Sequence, residues 1–222
     1  MCQRYGFAAG GELKAGLDPA AVAVKEVRQS LLWRVYAEHF GALGYNGTGK
    51  GNARFSPIRD SAGMIVPTLY TGTSPAVALM ETVLHDAPWP SSGFILTMPP
   101  PTEELRHMAC LVNVQTLQLA DFSSLGLRRL GLRKSQVIES DKAHYPISRK
   151  IAEWVFANRP DLQGIVWSSR QDDRGLTMVL FEPRLQANAL RVWHEGENIA
   201  GGFALGELVD LIDLLGAGMI FG

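Results

Sequence analysis

Leu69 to His85, LYTGTSPAVALMETVLH, changes character at its centre. Up to Gly72 the residues are those of a strand, and the run reaches back through Ile65, Val66 and Thr68. Pro67 interrupts it and marks a sheet edge or a strand start. From Ser74 the signals are helical: serine is a favoured N-cap, Pro75 suits the first helical position, and AVALMETVLHDA carries the pattern to Ala87 before Pro88 stops it. The stretch therefore predicts a strand, a tight turn and a capped helix, with Tyr70 near one end and Glu81 near the other.

Glu81 is the anomaly of that helix. On a helical wheel Val77, Met80 and Leu84 share one face, and Glu81 falls at the edge of their arc. A carboxylate there turns out to solvent, pairs with an arginine, or stays in a partly apolar wall where it can answer a developing cation or orient a nucleophile. His85 follows at i+4, in position to pair with it. Arg34 in LWRV and Arg54 in ARFSPI stand beside aromatic and apolar residues rather than in charged runs. Arginine in such a setting has a planar acidic partner, and for each one taken alone an intraprotein salt bridge is the expected one. Tyr70 reads equally as a pocket lining and as a core residue. Ser168 and Ser169 end an apolar strand, a place where side chains reach clefts, but no G-x-S-x-G elbow surrounds them and a serine hydrolase is disfavoured.

Outward from this centre, Gly44 to Gly51, GYNGTGKG, imitates a phosphate-binding loop. Gly51 stands where the magnesium-binding hydroxyl belongs, no strand precedes, and Pro57 follows where a helix should run. It reads as a glycine connection that delivers Arg54. Residues 1 to about 30 read as an N-terminal extension with a short helical candidate, Pro19 to Gln29, ahead of a main unit over 31–222. Strands are expected at Gly93–Met98, Leu111–Leu119, Gly164–Ser169, Leu176–Phe181 and Asn188–Trp193, and helices at Ile147–Asn158 and near the C-terminus. There Glu207, Asp210 and Asp213 form a solvated stripe opposite Leu208 and Ile212. Interleaving without regular βαβ spacing predicts an α+β fold with mixed sheets and flanking helices.

Composition narrows the function classes. A net charge of -1 supplies no general field toward nucleic acid or anionic membrane. LRRLGLRK, Leu127 to Lys134, is the one basic candidate and reads as a solvated helix face or a partner contact. Cys2 and Cys110 lack metal-ligand spacing, and the five histidines show no H-x-x-x-H or H-x-E, so no metal is expected. No signal segment or apolar run of membrane-spanning length is visible, which makes a cytoplasmic protein the expectation.

Taken in order, LWRV, ARFSPI, LYTGTSPAVALMETVLH, GIVWSSR and LTMVLFEP resemble the RES family, over about Leu32 to Glu182. The family is named for an arginine, a glutamate and a serine, which fall on Arg54, Glu81 and Ser169. Ser169 is preferred to Ser168 because the family serine lies five residues after the glycine that opens its strand, here Gly164. The resemblance makes Arg54, Glu81 and Ser169 catalytic and assigns Arg34, Arg54, Tyr70 and Ser169 to NAD. The chain departs from short members in a longer gap between Arg54 and Tyr70, in Trp167 near a common tyrosine, and in its N-terminal extension. The resemblance further implies a fold like that of ADP-ribosyltransferase toxins, with NAD as substrate in a cleft between two small sheets. It implies a toxin of a bacterial toxin-antitoxin pair that destroys NAD by hydrolysis or phosphorolysis, or ADP-ribosylates a host protein. Its partner would be an Xre-type helix-turn-helix antitoxin that blocks the cleft, within a complex containing a homo-oligomer of the toxin. A non-catalytic binding module is the alternative from another class, and direct nucleic-acid binding is not expected.

Overall fold

Twelve strands form among the described residues, which are 16–88, 93–98 and 106–221 of the computed structural model. β1 (Val24–Val27) and β2 (Leu31–Ala37) precede a short antiparallel pair, β3 (Ile58–Arg59) and β4 (Ile65–Val66). Next come β5 (Thr68–Gly72), α1 (Pro75–Met80), β6 (Ile95–Met98), β7 (Arg106–Asn113) and β8 (Leu117–Asp121). Three helices follow, α2 (Ser124–Arg129), α3 (Lys134–Val137) and α4 (Tyr145–Asn158). The remaining elements are β9 (Gly164–Ser168), β10 (Leu176–Phe181), β11 (Leu190–Asn198), α5 (Gly202–Leu214) and β12 (Gly218–Phe221).

Eight strands make one mixed sheet in the order β1-β8-β9-β10-β5-β2-β7-β11, with β8 and β9 parallel. β7 and β8 are joined by three residues yet have four strands between them in that order, so the sheet has to curl. Asn113 holds the curl closed. Its Nδ2 donates to Val27 O at 2.9 Å, and its Oδ1 accepts from Ser30 N at 2.9 Å. The inside of the curl is a core of Leu32, Leu69, Leu111, Leu119, Met178 and Leu180. Outside, one layer packs α4 and its neighbours on Ile165, Trp167, Val179 and Phe181, while a second places α1 and α5 with Met98 and Met108. The fold is α+β with mixed strands and flanking helices, as expected.

Several local expectations change. Pro19–Ala21 makes only a 3-10 turn capped by Asp18, and Val24–Val27 is a strand rather than the second half of a helix. Alanine- and valine-rich sequence serves either period, and antiparallel pairing of Val24 with Ala120 through Val27 with Leu117 decides it. Residues 1–15, with Cys2, lie outside the described residues. The Leu111–Leu119 run is not one strand. It breaks at Val114–Thr116, where the chain passes from β7 to β8. Pro67 sits just before β5, an interior strand, so it marks a start and not an edge. In LRRLGLRK, Leu127, Leu130 and Leu132 enter the core and Arg128, Arg129 and Arg133 face out. β12, parallel to β6, had no signal of its own.

Candidate active site

β2 and β5 meet in register at one pair among the described residues, Trp33 with Gly72. Elsewhere the two strands part, and a cavity of about 490 Å³ opens against them. Arg34 on β2, Tyr70 on β5, Arg54 from the preceding loop and Glu81 at the end of α1 all line it. Residues far apart in the chain are thereby gathered where the two halves of the sheet separate.

α1 reaches this place because two glycines make room for it. A Cβ on Gly72 would lie 2.7 Å from Val77 Cγ1 and 3.0 Å from Ala78 N, and one on Gly175 would overlap Val77 Cγ2. Val77 thus seats directly on the backbone of β5 and of the turn before β10. The helix stops far short of Ala87. Glu81 N donates to Val77 O in helical fashion, but Thr82 N and Leu84 N both turn back to Leu79 O. Leu84 still reaches the core, through a turn instead of a helix.

Glu81 is half-buried and its carboxylate is fixed. Oε1 accepts from Ser169 Oγ at 2.6 Å and from Arg170 N at 2.9 Å, and Oε2 accepts no hydrogen bond from the described residues. Ser169 is fully buried, and its Oγ in turn accepts from Gln171 N at 3.2 Å and Asp172 N at 2.9 Å. With both lone pairs engaged, the hydroxyl proton points at Glu81. Ser169 is therefore behind Glu81 and off the cavity wall, which favours orientation of the carboxylate over contact with a ligand.

Among the described residues neither arginine has the acidic partner that sequence reasoning expected. Arg54 is buried and donates to Val137 O at 2.8 Å, to Ser140 O at 3.2 Å and to Ser140 Oγ at 3.0 Å, and its guanidinium stacks 4.6 Å from the Tyr145 ring. Val137 is the last residue of α3, and its carbonyl is one that the helix leaves open at its C-terminal end. Arg34 donates to Ala42 O at 2.9 Å and Gly44 O at 2.8 Å, while its Nε is buried without a partner among the described residues. Desolvation pulls the Arg34 pKa down to about 10, and lowers that of Arg54. Two buried cations whose hydrogen bonds among the described residues go to neutral oxygens make a site that favours an anion. Tyr70 OH accepts from Phe55 N at 3.0 Å, fixing the residue beside Arg54, and burial pushes its phenol up to about 12.

Sequence reasoning missed the wall between Arg54 and the cavity mouth. Arg54 Nη2 reaches Tyr145 OH at 3.4 Å, Tyr145 OH lies 3.1 Å from His85 Nε2, His85 Nδ1 lies 2.7 Å from Asp86, and Asp86 pairs with Lys142. His85 does not pair with Glu81, because the helix that would have stacked them ends at Met80. Lys142 and His85 hold the Asp86 carboxyl below its usual range. Nothing local announces Tyr145, which opens α4 and lies 91 residues from Arg54.

The sequence model of the RES domain matches residues 31–196, three quarters of the chain. The chain belongs to the RES-domain family. Its RES domain is similar in fold to a chain in the crystal structure of the M. tuberculosis MbcT–MbcA toxin–antitoxin complex, with a TM-score of 0.55 at 15% identity, over 81% of this chain and 87% of that one. A search of curated protein sequences found no match. Within the RES domain, Arg54, Glu81, Tyr70 and Arg34 line one cavity and Ser169 supports it from behind. Among the described residues no cluster of histidine, cysteine and carboxylate side chains is suited to a metal, and no helix is long and apolar enough to cross a membrane.

Proposed function

We propose that this RES protein is the toxin of a bacterial toxin–antitoxin pair and consumes NAD by cleaving the bond between nicotinamide and ribose. The observation that carries the reading is the Glu81 carboxylate, fixed by Ser169 and Arg170 on the wall of a cavity that also holds two buried arginines without acidic partners among the described residues. Nicotinamide leaves as a neutral molecule, so no strong acid is required, and positive charge builds on the ribose. Glu81 answers that charge. With Oε1 engaged by two donors, Oε2 is left to meet the sugar or an incoming nucleophile. Arg54 and Arg34 hold the pyrophosphate and keep the scissile bond in register with Glu81. Tyr70 and Trp167, edge to face at 6.1 Å, line the place for the nicotinamide ring. Ser169 acts as a positioning residue.

The partner we propose is an Xre-type helix-turn-helix antitoxin that covers the cavity mouth, within a complex containing more than one copy of the toxin. Membership of the fold seen in a toxin–antitoxin complex supports an antitoxin of some kind. The location proposed is the cytoplasm. Residues 1–30 precede the family match, and β1 within them adds an edge strand to the sheet.

The test is nicotinamide release from NAD by the purified, antitoxin-free protein in water, with phosphate, and with a cell lysate. Free ADP-ribose identifies a glycohydrolase, its 1''-phosphate a phosphorylase, and a labelled protein a mono-ADP-ribosyltransferase. Folded protein that releases no nicotinamide in any arm contradicts the reading and leaves a non-catalytic binding module.

A further inference from the structure

Three buried side-chain atoms of cavity-lining residues have no hydrogen-bond partner among the described residues: Arg34 Nε, Thr71 Oγ1 and Thr177 Oγ1. An unpaired buried polar group destabilises a fold, and a native protein keeps one where something else will bond it. Arg34 belongs to the anion side of the site. The two threonines separate by register. Thr71 pairs with Met178 and projects with Leu69 into the core inside the curl.

Thr177 projects the other way. It is 3% exposed and stands opposite Gly72 on β5 and opposite Trp167 on β9. Directly opposed residues share a sheet face, so Thr177 is on the face of Trp167 and, two residues along β5, of Tyr70. β10 runs between the strands that carry those two rings. The same face is the one α1 covers through Val77, and α1 ends at Glu81. An orphan hydroxyl thus lies in an aromatic corner next to the catalytic carboxylate's helix.

We propose that the Thr177 hydroxyl binds the carboxamide of the nicotinamide ring and is a specificity-determining residue; this rests on the NAD reading above. A planar base set against Tyr70 and Trp167 buries its ring favourably, but it also takes the carboxamide out of water. Its N–H and C=O then need partners inside the cavity. A hydroxyl donates and accepts, so one threonine serves either end of the amide.

The test compares Thr177→Val, which keeps the shape and removes the hydroxyl, with Thr177→Ser, which keeps the hydroxyl. kcat/KM is measured for base release from NAD and from the pyridine analogue that lacks the carboxamide, together with thermal melting with and without NAD. The valine protein should melt at or above the wild type, lose roughly tenfold in kcat/KM on NAD and lose nothing on the analogue, and the serine protein should act on NAD almost as wild type does. A valine protein that handles NAD as wild type does, or loses equally on both substrates, overturns the assignment. Wild-type protein that releases no base and is not stabilised by NAD overturns the NAD reading and this inference together, a failure seen in the wild type and so distinct from one confined to the variant.

Discussion

Ser169 Oγ donates to Glu81 Oε1 at 2.6 Å across 88 residues of sequence. Because Gln171 N and Asp172 N occupy the lone pairs of that oxygen, the serine is a fixed donor that aims a carboxylate. Ser169→Ala should lower kcat about 100-fold through loss of alignment while KM changes little. It should also lower stability by about 1–3 kcal/mol, since two backbone N–H groups lose their acceptor. Steady-state kinetics and denaturant unfolding check both, and an unchanged kcat contradicts the positioning role.

Gly72→Ala tests the seat of α1. The added Cβ meets Val77 Cγ1 at 2.7 Å and Ala78 N at 3.0 Å, and a backbone atom cannot give way as a side chain can. The helix has to lift, carrying Glu81 with it. The variant should be destabilised by about 1–3 kcal/mol, and kcat should fall further than partial unfolding explains. A variant that melts lower but retains full kcat would show that α1 does not set the carboxylate.

Much of this was legible in the chain, and the failures have physical causes. Ser74 and Pro75 announced the start of α1 correctly, but its end depends on Thr82 N and Leu84 N turning back to Leu79 O, near the point where Ser169 and Arg170 hold Glu81. Apolar spacing at Leu84 looks the same whether a helix or a turn delivers it. The arginines were found by type and neighbourhood, yet their partners are carbonyls, which carry no sequence signature. His85 and Tyr145 join the site only through tertiary contact. Val24–Val27 required knowledge of β8 before it could be read as a strand.

Arg34→Met addresses the buried cation. Arg34 is 6% exposed, has no acidic partner among the described residues, and its desolvation already lowers its pKa to about 10. Arg34→Met removes a desolvated charge that neutral carbonyls hold, and hydrophobic replacement of buried ionic groups is often neutral or stabilising. The variant should unfold at a denaturant concentration no lower than wild type, and it should lose the stabilisation that NAD gives the wild-type protein. A large loss of stability without NAD would mean that the bonds to Ala42 O and Gly44 O are structural anchors first.

Tyr70 gives a pH signature. Its phenol ionises near 10.0 in the unfolded chain and at about 12 in the fold, where burial favours the neutral form. The folded pKa is the higher one, so the contribution to stability is complete below pH 10 and is lost as pH rises toward 12. Between pH 10 and pH 11 the wild type should lose about 1 kcal/mol more stability than Tyr70→Phe. Denaturant unfolding of both proteins at the two pH values isolates this group, since every other titration is common to the pair. Parallel losses would contradict a buried hydroxyl.

Glu81 is proposed to promote cleavage of the nicotinamide–ribose bond by answering charge, and nicotinamide release from NAD by wild type and Glu81→Gln, measured side by side, tests this. Glutamine keeps the shape and can still accept from Ser169 Oγ and Arg170 N through its amide oxygen, so fold and NAD binding should persist. The glutamine protein should show a fall in kcat of about 100- to 1,000-fold, the scale of a lost preorganised electrostatic partner. Release by the glutamine protein at the wild-type rate would contradict it.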